Sequence, residues 1–246
     1  MIYCFDPVAN RNNPNEYKYN AHFFRIEGSD VTYVLTEMMD TLEMASIMKN
    51  LKVTNERVMW LYSSFAEKLL KYPSFTLTDY VNSLKKDKPV NYIKNGNIAK
   101  LTFMNDSIVE AHLYDAEQEI MYRADKISHG HLEKKEYYLD ELIFTELYNQ
   151  RGKSSDLYSR RFHNMHDRSS YDEINPLGSP KYVFGNTIIE SKGDLLEIFL
   201  KMLRLTRDDT IMIDSSHKYI NLISSNMGEA SLRMTQSNSA FDIFNF

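Results

Sequence analysis

From Val90 to about Ile189 the chain repeats one short pattern: an extended apolar or aromatic run, a turn residue, and another run. Ile98 to Phe103 ends at Asn105-Asp106, Ile108 to Tyr114 ends at Asp115, and Ile120 to Tyr122 leads to Asp125. Leu132 to Tyr138 ends at Asp140, Leu142 to Tyr148 at Asn149, and Leu157 to Phe162 at His163-Asn164; Tyr182 to Ile189 closes the series. Successive units lie mostly about 8–12 residues apart, the spacing of short antiparallel strands. Asn and Asp tolerate turn geometry, so each unit carries its own reversal signal. Such a segment folds as an antiparallel meander, and its polar alternation leaves much of one face wet.

The flanks read differently. Met1 to Phe5 suits a buried parallel strand, and Asp6 to Asn15 is a loop rich in Pro and Asn. Glu16 to Glu27 is helix-like, and Val31 to Leu35 is a second strand. Asp40 caps a helix over Thr41 to Leu51, with Leu42, Ala45, Met48 and Leu51 spaced for one face. The spacing of Val58, Leu61, Phe65 and Leu69 predicts a longer helix over Thr54 to Leu70, and Thr76 to Leu84 suits a short one. Beyond the meander, Asp194, Leu195, Leu196, Ile198, Phe199, Met202 and Leu203 form an amphipathic helix, and Thr210 to Asp214 is a buried strand ending in a carboxylate. Ser231 to Phe246 has no evident place in a core. The expected organisation is α/β over 1–88, a β-meander insertion over 89–189, and α/β again over 190–246 with an apolar tail.

Composition removes several function classes. There are 29 basic and 34 acidic residues, a net charge of −5, with no dominant basic tract, which argues against non-specific nucleic-acid binding. A single cysteine, Cys4, rules out an intramolecular disulfide and a thiolate zinc cluster. No apolar stretch approaches the ~18 residues of a membrane span, and Met1 to Asp6 lacks a basic leader, so the chain reads as cytoplasmic. The 8 glycines are scattered, so a G-x-G-x-x-G loop and a Walker A loop are both absent.

Few residues invite a chemical role. Asp214 ends a strand, where open α/β sheets place ligand-binding groups, but the cap of a helix beginning at Ser215-Ser216 is the commoner use of such an Asp. His217 follows it by three residues and suits a loop position near an acceptor. Asn10, Arg11 and Asn12 follow the first strand and could hydrogen-bond a sugar or a peptide, as could an ordinary polar loop. His129 with His131, and His163 with His166, have spacings a metal could use, but solvated strands carry such pairs as often, and no metal is expected. The meander tyrosines serve either as core or as an interaction surface.

The run Tyr182-Val183-Phe184, Ser191-Lys192-Gly193-Asp194-Leu195-Leu196 and Leu205-Thr206-Arg207-Asp208-Asp209-Thr210-Ile211-Met212-Ile213-Asp214 resembles a junction in family 4, GT-B bacterial glycosyltransferases that modify serine-rich adhesins and wall teichoic acids. The aromatic-Asp turns at Tyr114-Asp115, Tyr138-Leu139-Asp140 and Tyr148-Asn149 are similar to that family's extended meander. The resemblance implies a Rossmann-like half of a GT-B fold interrupted by the meander. It implies the acceptor side of an enzyme moving a sugar from a UDP-sugar to a protein Ser/Thr or a polyol-phosphate polymer. The family's C-terminal half, with its acidic donor-binding motif, has no counterpart in these residues, nor does the family's His-containing segment after the Asp214 strand. The expectation is therefore binding without turnover, no cofactor beyond a UDP-sugar supplied with another half, and a glycosyltransferase partner or self-association through the meander or tail. The alternative is a non-catalytic, chaperone-like subunit of a glycosyltransferase complex.

Overall fold

The computed structural model describes residues 1–6, 30–51, 57–68, 70, 90–94, 97–104, 107–115, 120–152 and 154–235. The helices expected over 16–27 and 76–84, the loop of Asn10, Arg11 and Asn12, and the tail beyond 235 lie outside the described residues. The chain opens with β1 (Ile2–Phe5), β2 (Val31–Leu35), α1 (Thr41–Leu51), β3 (Val58–Trp60) and α2 (Leu61–Phe65). Ten strands follow: β4 (Val90–Lys94), β5 (Asn97–Met104), β6 (Ser107–Asp115), β7 (Ile120–Ser128), β8 (His131–Tyr138), β9 (Leu142–Arg151), β10 (Ser154–His163), β11 (Ser169–Ile174), β12 (Lys181–Phe184) and β13 (Thr187–Ile189). The last elements among the described residues are α3 (Lys192–Leu203), β14 (Thr210–Asp214), α4 (Ile220–Asn226) and β15 (Ser231–Thr235).

Two compact units result, one of residues 1–38, 47–64 and 192–246, the other of 39–46 and 65–191. The first holds a five-stranded sheet, all parallel, in the order β15-β14-β1-β2-β3. Every residue of β2 is buried, as a parallel strand covered on both faces requires. Cys4, Phe5, Ile211 and Ile213 continue that core through β1 and β14. On α3 the buried residues Leu195, Leu196, Phe199 and Leu200 follow the 3.6-residue period. At the start of α1, Asp40 Oδ1 accepts from the Glu43 backbone N at 2.8 Å, the expected cap.

One expectation fails in this unit. The helix over Thr54 to Leu70 is replaced by β3 and the five-residue α2. Val58, Met59 and Trp60 pair in register with Tyr33, Val34 and Leu35. A short apolar run satisfies helical and buried-strand patterns alike, and the open edge of β2 decides between them. Ser231 to Thr235 forms the edge strand β15, paired with β14 from Thr210↔Ser231 to Asp214↔Thr235, and none of Ser231 to Met234 is buried, in keeping with a segment outside the core.

The second unit is built on an antiparallel sheet in which β4 to β13 lie side by side in strict sequence order. Strand Ser169–Ile174 has no counterpart in the expected series, and Tyr182 to Ile189 is a hairpin of two strands. At the β7–β8 turn both His129 (φ 50°) and Gly130 (φ 77°) are left-handed, as a tight two-residue hairpin needs. Aromatic rings form a row across five strands. Tyr137 stacks on Phe144 (4.3 Å between centroids), Phe144 lies 5.7 Å from Phe162, Phe162 stacks on Tyr171 (4.6 Å), and Tyr171 on Phe184 (4.5 Å). One pleat further along the same face runs an ionic row of Glu146, Arg160 and Glu173.

Candidate functional site

In a parallel sheet, side chains just beyond the carboxyl ends of the strands face a crevice where the strand order reverses. Here that position lies beyond β1, between β2 and β14. The first residue after β1 is Asp6, held at a left-handed φ of 39°. Its Oδ1 accepts from the Thr36 backbone N at 2.7 Å, and its Oδ2 accepts from the Thr36 hydroxyl. The loop after β14 supplies the third partner, His217 Nε2, 2.8 Å from Asp6 Oδ2. The Tyr219 backbone N donates to His217 Nδ1 at 3.2 Å. Nδ1 is thus an acceptor, which assigns the ring hydrogen to Nε2 and makes the imidazole the donor to Asp6.

A second group sits beside the first. Glu37, two residues past β2, accepts at Oε1 from Lys192 Nζ and from Lys218 Nζ, both at 2.8 Å. Burial raises the Glu37 carboxyl, but the hydrogen bonds and charges of the two lysines outweigh it and hold the pKa at about 2. Burial pushes the Lys192 ammonium below its ordinary value, against the pull of Glu37. Lys218 is more exposed; burial lowers it less than Glu37 raises it, so its net shift is upward. The Tyr219 ring lies under both ammonium groups, 5.5 Å from Lys192 and 5.1 Å from Lys218. Trp60, fully buried, donates from Nε1 to the Glu37 carbonyl at 2.9 Å and fixes this turn from below.

His217 is therefore at the site, in a loop. Asp214 ends β14, but its Oδ1 accepts from Ser216 N (2.8 Å) and Ser216 Oγ (2.5 Å), closing a turn. No helix begins at Ser215; α4 starts at Ile220, with no side-chain cap. Sequence reasoning passed over Asp6, Thr36, Glu37, Lys192, Lys218 and Tyr219. The available signal was position: Asp6 and Thr36-Glu37 directly follow strands 1 and 2.

The histidine pairs sit elsewhere. His129 contacts Ser128 Oγ at 3.0 Å, His131 contacts Gln150 at 2.8 Å, and buried His163 contacts Thr145 at 2.9 Å. Among the described residues no cluster of three or more His, Cys, Asp or Glu could hold a metal ion. Among the same residues no helix is long and apolar enough to cross a membrane.

The ten-stranded sheet carries one of the likenesses to known proteins. Residues 91–186 match the GtfA extended beta-sheet domain. The GtfA-type segment thus runs from β4 through β12. A UDP-N-acetylglucosamine--peptide N-acetylglucosaminyltransferase GtfA subunit from Streptococcus agalactiae is 28% identical over 214 residues, 86% of this chain and 42% of the relative. The chain spans less than half the length of that GtfA subunit. The fold matches a chain of a solved GtfA/B complex with a TM-score of 0.75 at 19% identity, over 95% of this chain and 47% of the other. It also matches a chain of the Glycosylation Associate Protein complex from Streptococcus agalactiae, with a TM-score of 0.71 at 12% identity, over 95% and 51%. The shared fold is α/β, joining a parallel sheet to a large antiparallel one.

Proposed function

We propose that these residues are the acceptor-side, Rossmann-like half of a GT-B glycosyltransferase acting in the cytoplasm on protein Ser/Thr hydroxyls, in company with a second subunit. The observation that carries this reading is the GtfA-type sheet standing between β3 and β14 of a parallel sheet in the order 3-2-1-4-5, counting β14 and β15 as fourth and fifth. The peptide transferase named among its relatives favours a Ser/Thr hydroxyl over a polyol-phosphate polymer. The UDP-sugar belongs to a second half, so the 246 residues alone bind without turnover.

In this reading the chain's own side chains position the acceptor. With Nδ1 accepting from the Tyr219 N–H and Nε2–H donated to Asp6, His217 has both ring nitrogens engaged within the chain. It ties the β14 loop to the ends of β1 and β2 and shapes the rim of the crevice. The Lys218 ammonium is the exposed donor at that rim. Asp214, His217, and Asn10, Arg11 and Asn12 of the first loop remain the proposed acceptor contacts.

The test joins residues 1–246 to the remaining C-terminal part of the S. agalactiae relative and co-expresses the fusion with a GtfB partner. UDP release from UDP-N-acetylglucosamine with a Ser-rich peptide is then measured. None is expected from the unfused chain, release from the fusion, and a loss of that release in His217→Ala. Turnover by the unfused chain would refute the division of labour. The second reading, a non-catalytic subunit, draws on the fold shared with the Glycosylation Associate Protein complex. It predicts capture of a transferase by the chain and a silent fusion.

A further inference from the structure

A separate recess of about 750 Å³ opens on the ten-stranded sheet, within the size range of small-molecule sites. Its walls are β9, β10 and the turn after β11. Two backbone irregularities build it. Leu157 pairs with Tyr148 and Ser159 with Leu147, so Tyr158 is an extra, unpaired residue of a bulge. Bulges re-aim the side chain they carry, and the Tyr158 side chain is left at the surface, 41% exposed. Opposite it the chain turns at Asn175, with φ at 55°. The Asn175 N donates to the Tyr158 carbonyl and the Asn175 carbonyl accepts from Gly178 N, both at 3.1 Å, which locks the turn against the bulge. A Cβ at residue 178 would stand 2.6 Å from Asn175 Nδ2, so glycine there leaves room for that amide.

The lining is amphipathic and carries no net charge. Tyr158 offers an aromatic face, and Ile174 and Leu177 an apolar wall. The side-chain amides of Asn149 and Asn175 each bring two donors and an acceptor. The two charges present, Arg151 and Asp156, pair with each other at 3.4 Å. A phosphate, a nucleotide or a strongly charged peptide finds no excess of opposite charge here. A pyranose ring suits all three features: an apolar C–H face for the tyrosine, hydroxyls for the amides, and no charge to compensate.

We propose that this recess is a saccharide-binding site for a neutral pyranoside, seated on Tyr158 between Asn149 and Asn175. The site stands on the chemistry of the recess and not on the transferase reading, so it survives or fails independently of UDP release. The probes are N-acetylglucosamine, methyl glucopyranoside, inorganic phosphate and an uncharged peptide, titrated into the full chain by saturation-transfer NMR at millimolar concentration. At least one of the two sugars is expected to saturate. Tyr158→Ala should weaken it at least about tenfold, and Tyr158→Phe less than about twofold, because the ring and not the hydroxyl does the stacking. Circular dichroism checks that both variants keep the fold. No saturable sugar binding, undiminished binding in Tyr158→Ala, or equal competition by phosphate or the peptide would each overturn the proposal.

Discussion

The Arg160 guanidinium donates from Nη1 to Glu173 Oε2 at 3.0 Å, and Glu173 is 2% exposed. The same guanidinium reaches Glu146 Oε1 through Nε at 3.1 Å. Glu146 also accepts at Oε2 from the hydroxyls of Tyr137 (2.9 Å) and Tyr148 (2.7 Å). Removing one partner of a buried pair leaves a charge without compensation, which costs far more than the intact pair contributes. Arg160→Met is expected to destabilise the chain by about 3–5 kcal/mol in urea unfolding. Arg160→Met with Glu173→Leu should recover part of that loss. A single variant with an unchanged midpoint would show that the ionic row is solvated.

Glu37 links pH to stability. Its carboxyl is held at about 2 in the folded chain, below its ordinary 4.5. A depressed carboxylate contributes stability that is fully present above the unfolded value and is lost as pH falls through the folded value. The stability difference between wild type and Glu37→Gln should therefore be constant near neutrality, shrink below pH 4.5, and reach its minimum below pH 2. Urea midpoints across that window measure it; a difference that grew on acidification would contradict the lysine clamp.

His217 donates to Asp6, and both side chains are about one-tenth exposed. His217→Ala deprives a nearly buried carboxylate of a donor and should cost about 1–3 kcal/mol. His217→Gln keeps an N–H donor of comparable reach and should recover most of that stability. Thermal unfolding of the two variants separates a clamp from a group whose chemistry resides in its ring.

Asp40 makes a smaller, local claim. Asp40→Ala removes the acceptor for the Glu43 N–H and should lower stability by about 1 kcal/mol, while Asp40→Asn should be nearly neutral. Chemical denaturation of the three proteins reads the ranking.

The sequence was most legible where one signal had no rival. The meander carries its own turn residues, so its strands can be read one by one. The exceptions are β4, the division of Tyr182 to Ile189 into β12 and β13, and β11, where Ser169-Ser170-Tyr171-Asp172-Glu173-Ile174 looks polar because its charges pair with the neighbouring strand, Arg160 with Glu173 and Arg161 with Asp172. Asp40 and α1 were legible because cap and periodicity agree. Val58 to Trp60 was not, since only pairing with β2 distinguishes strand from helix there. At the site, His217 was visible as a loop histidine, but its partner Asp6 lies at the far end of the chain. The Glu37–Lys192–Lys218 group was illegible for the same reason: three ordinary surface residue types meet only after the parallel sheet has closed.

That closure has a consequence for the order of assembly. Each strand from β4 to β13 bonds only to its neighbours in sequence, so the sheet can zip from any hairpin through short loops. The parallel sheet instead waits for Ile2 to meet Thr210 and Tyr3 to meet Ile211, at opposite ends of the chain. Contacts of such wide separation form slowly, because loop entropy is lost before they return any stability. On a ribosome, β1 and β2 emerge first and remain without β14 until the whole run of hairpins from Val90 to Ile189 has been made. The hairpins, by collapsing early, shorten the loop that β14 must close, and the crevice holding Asp6 and His217 is expected to be the last part of the molecule to take shape.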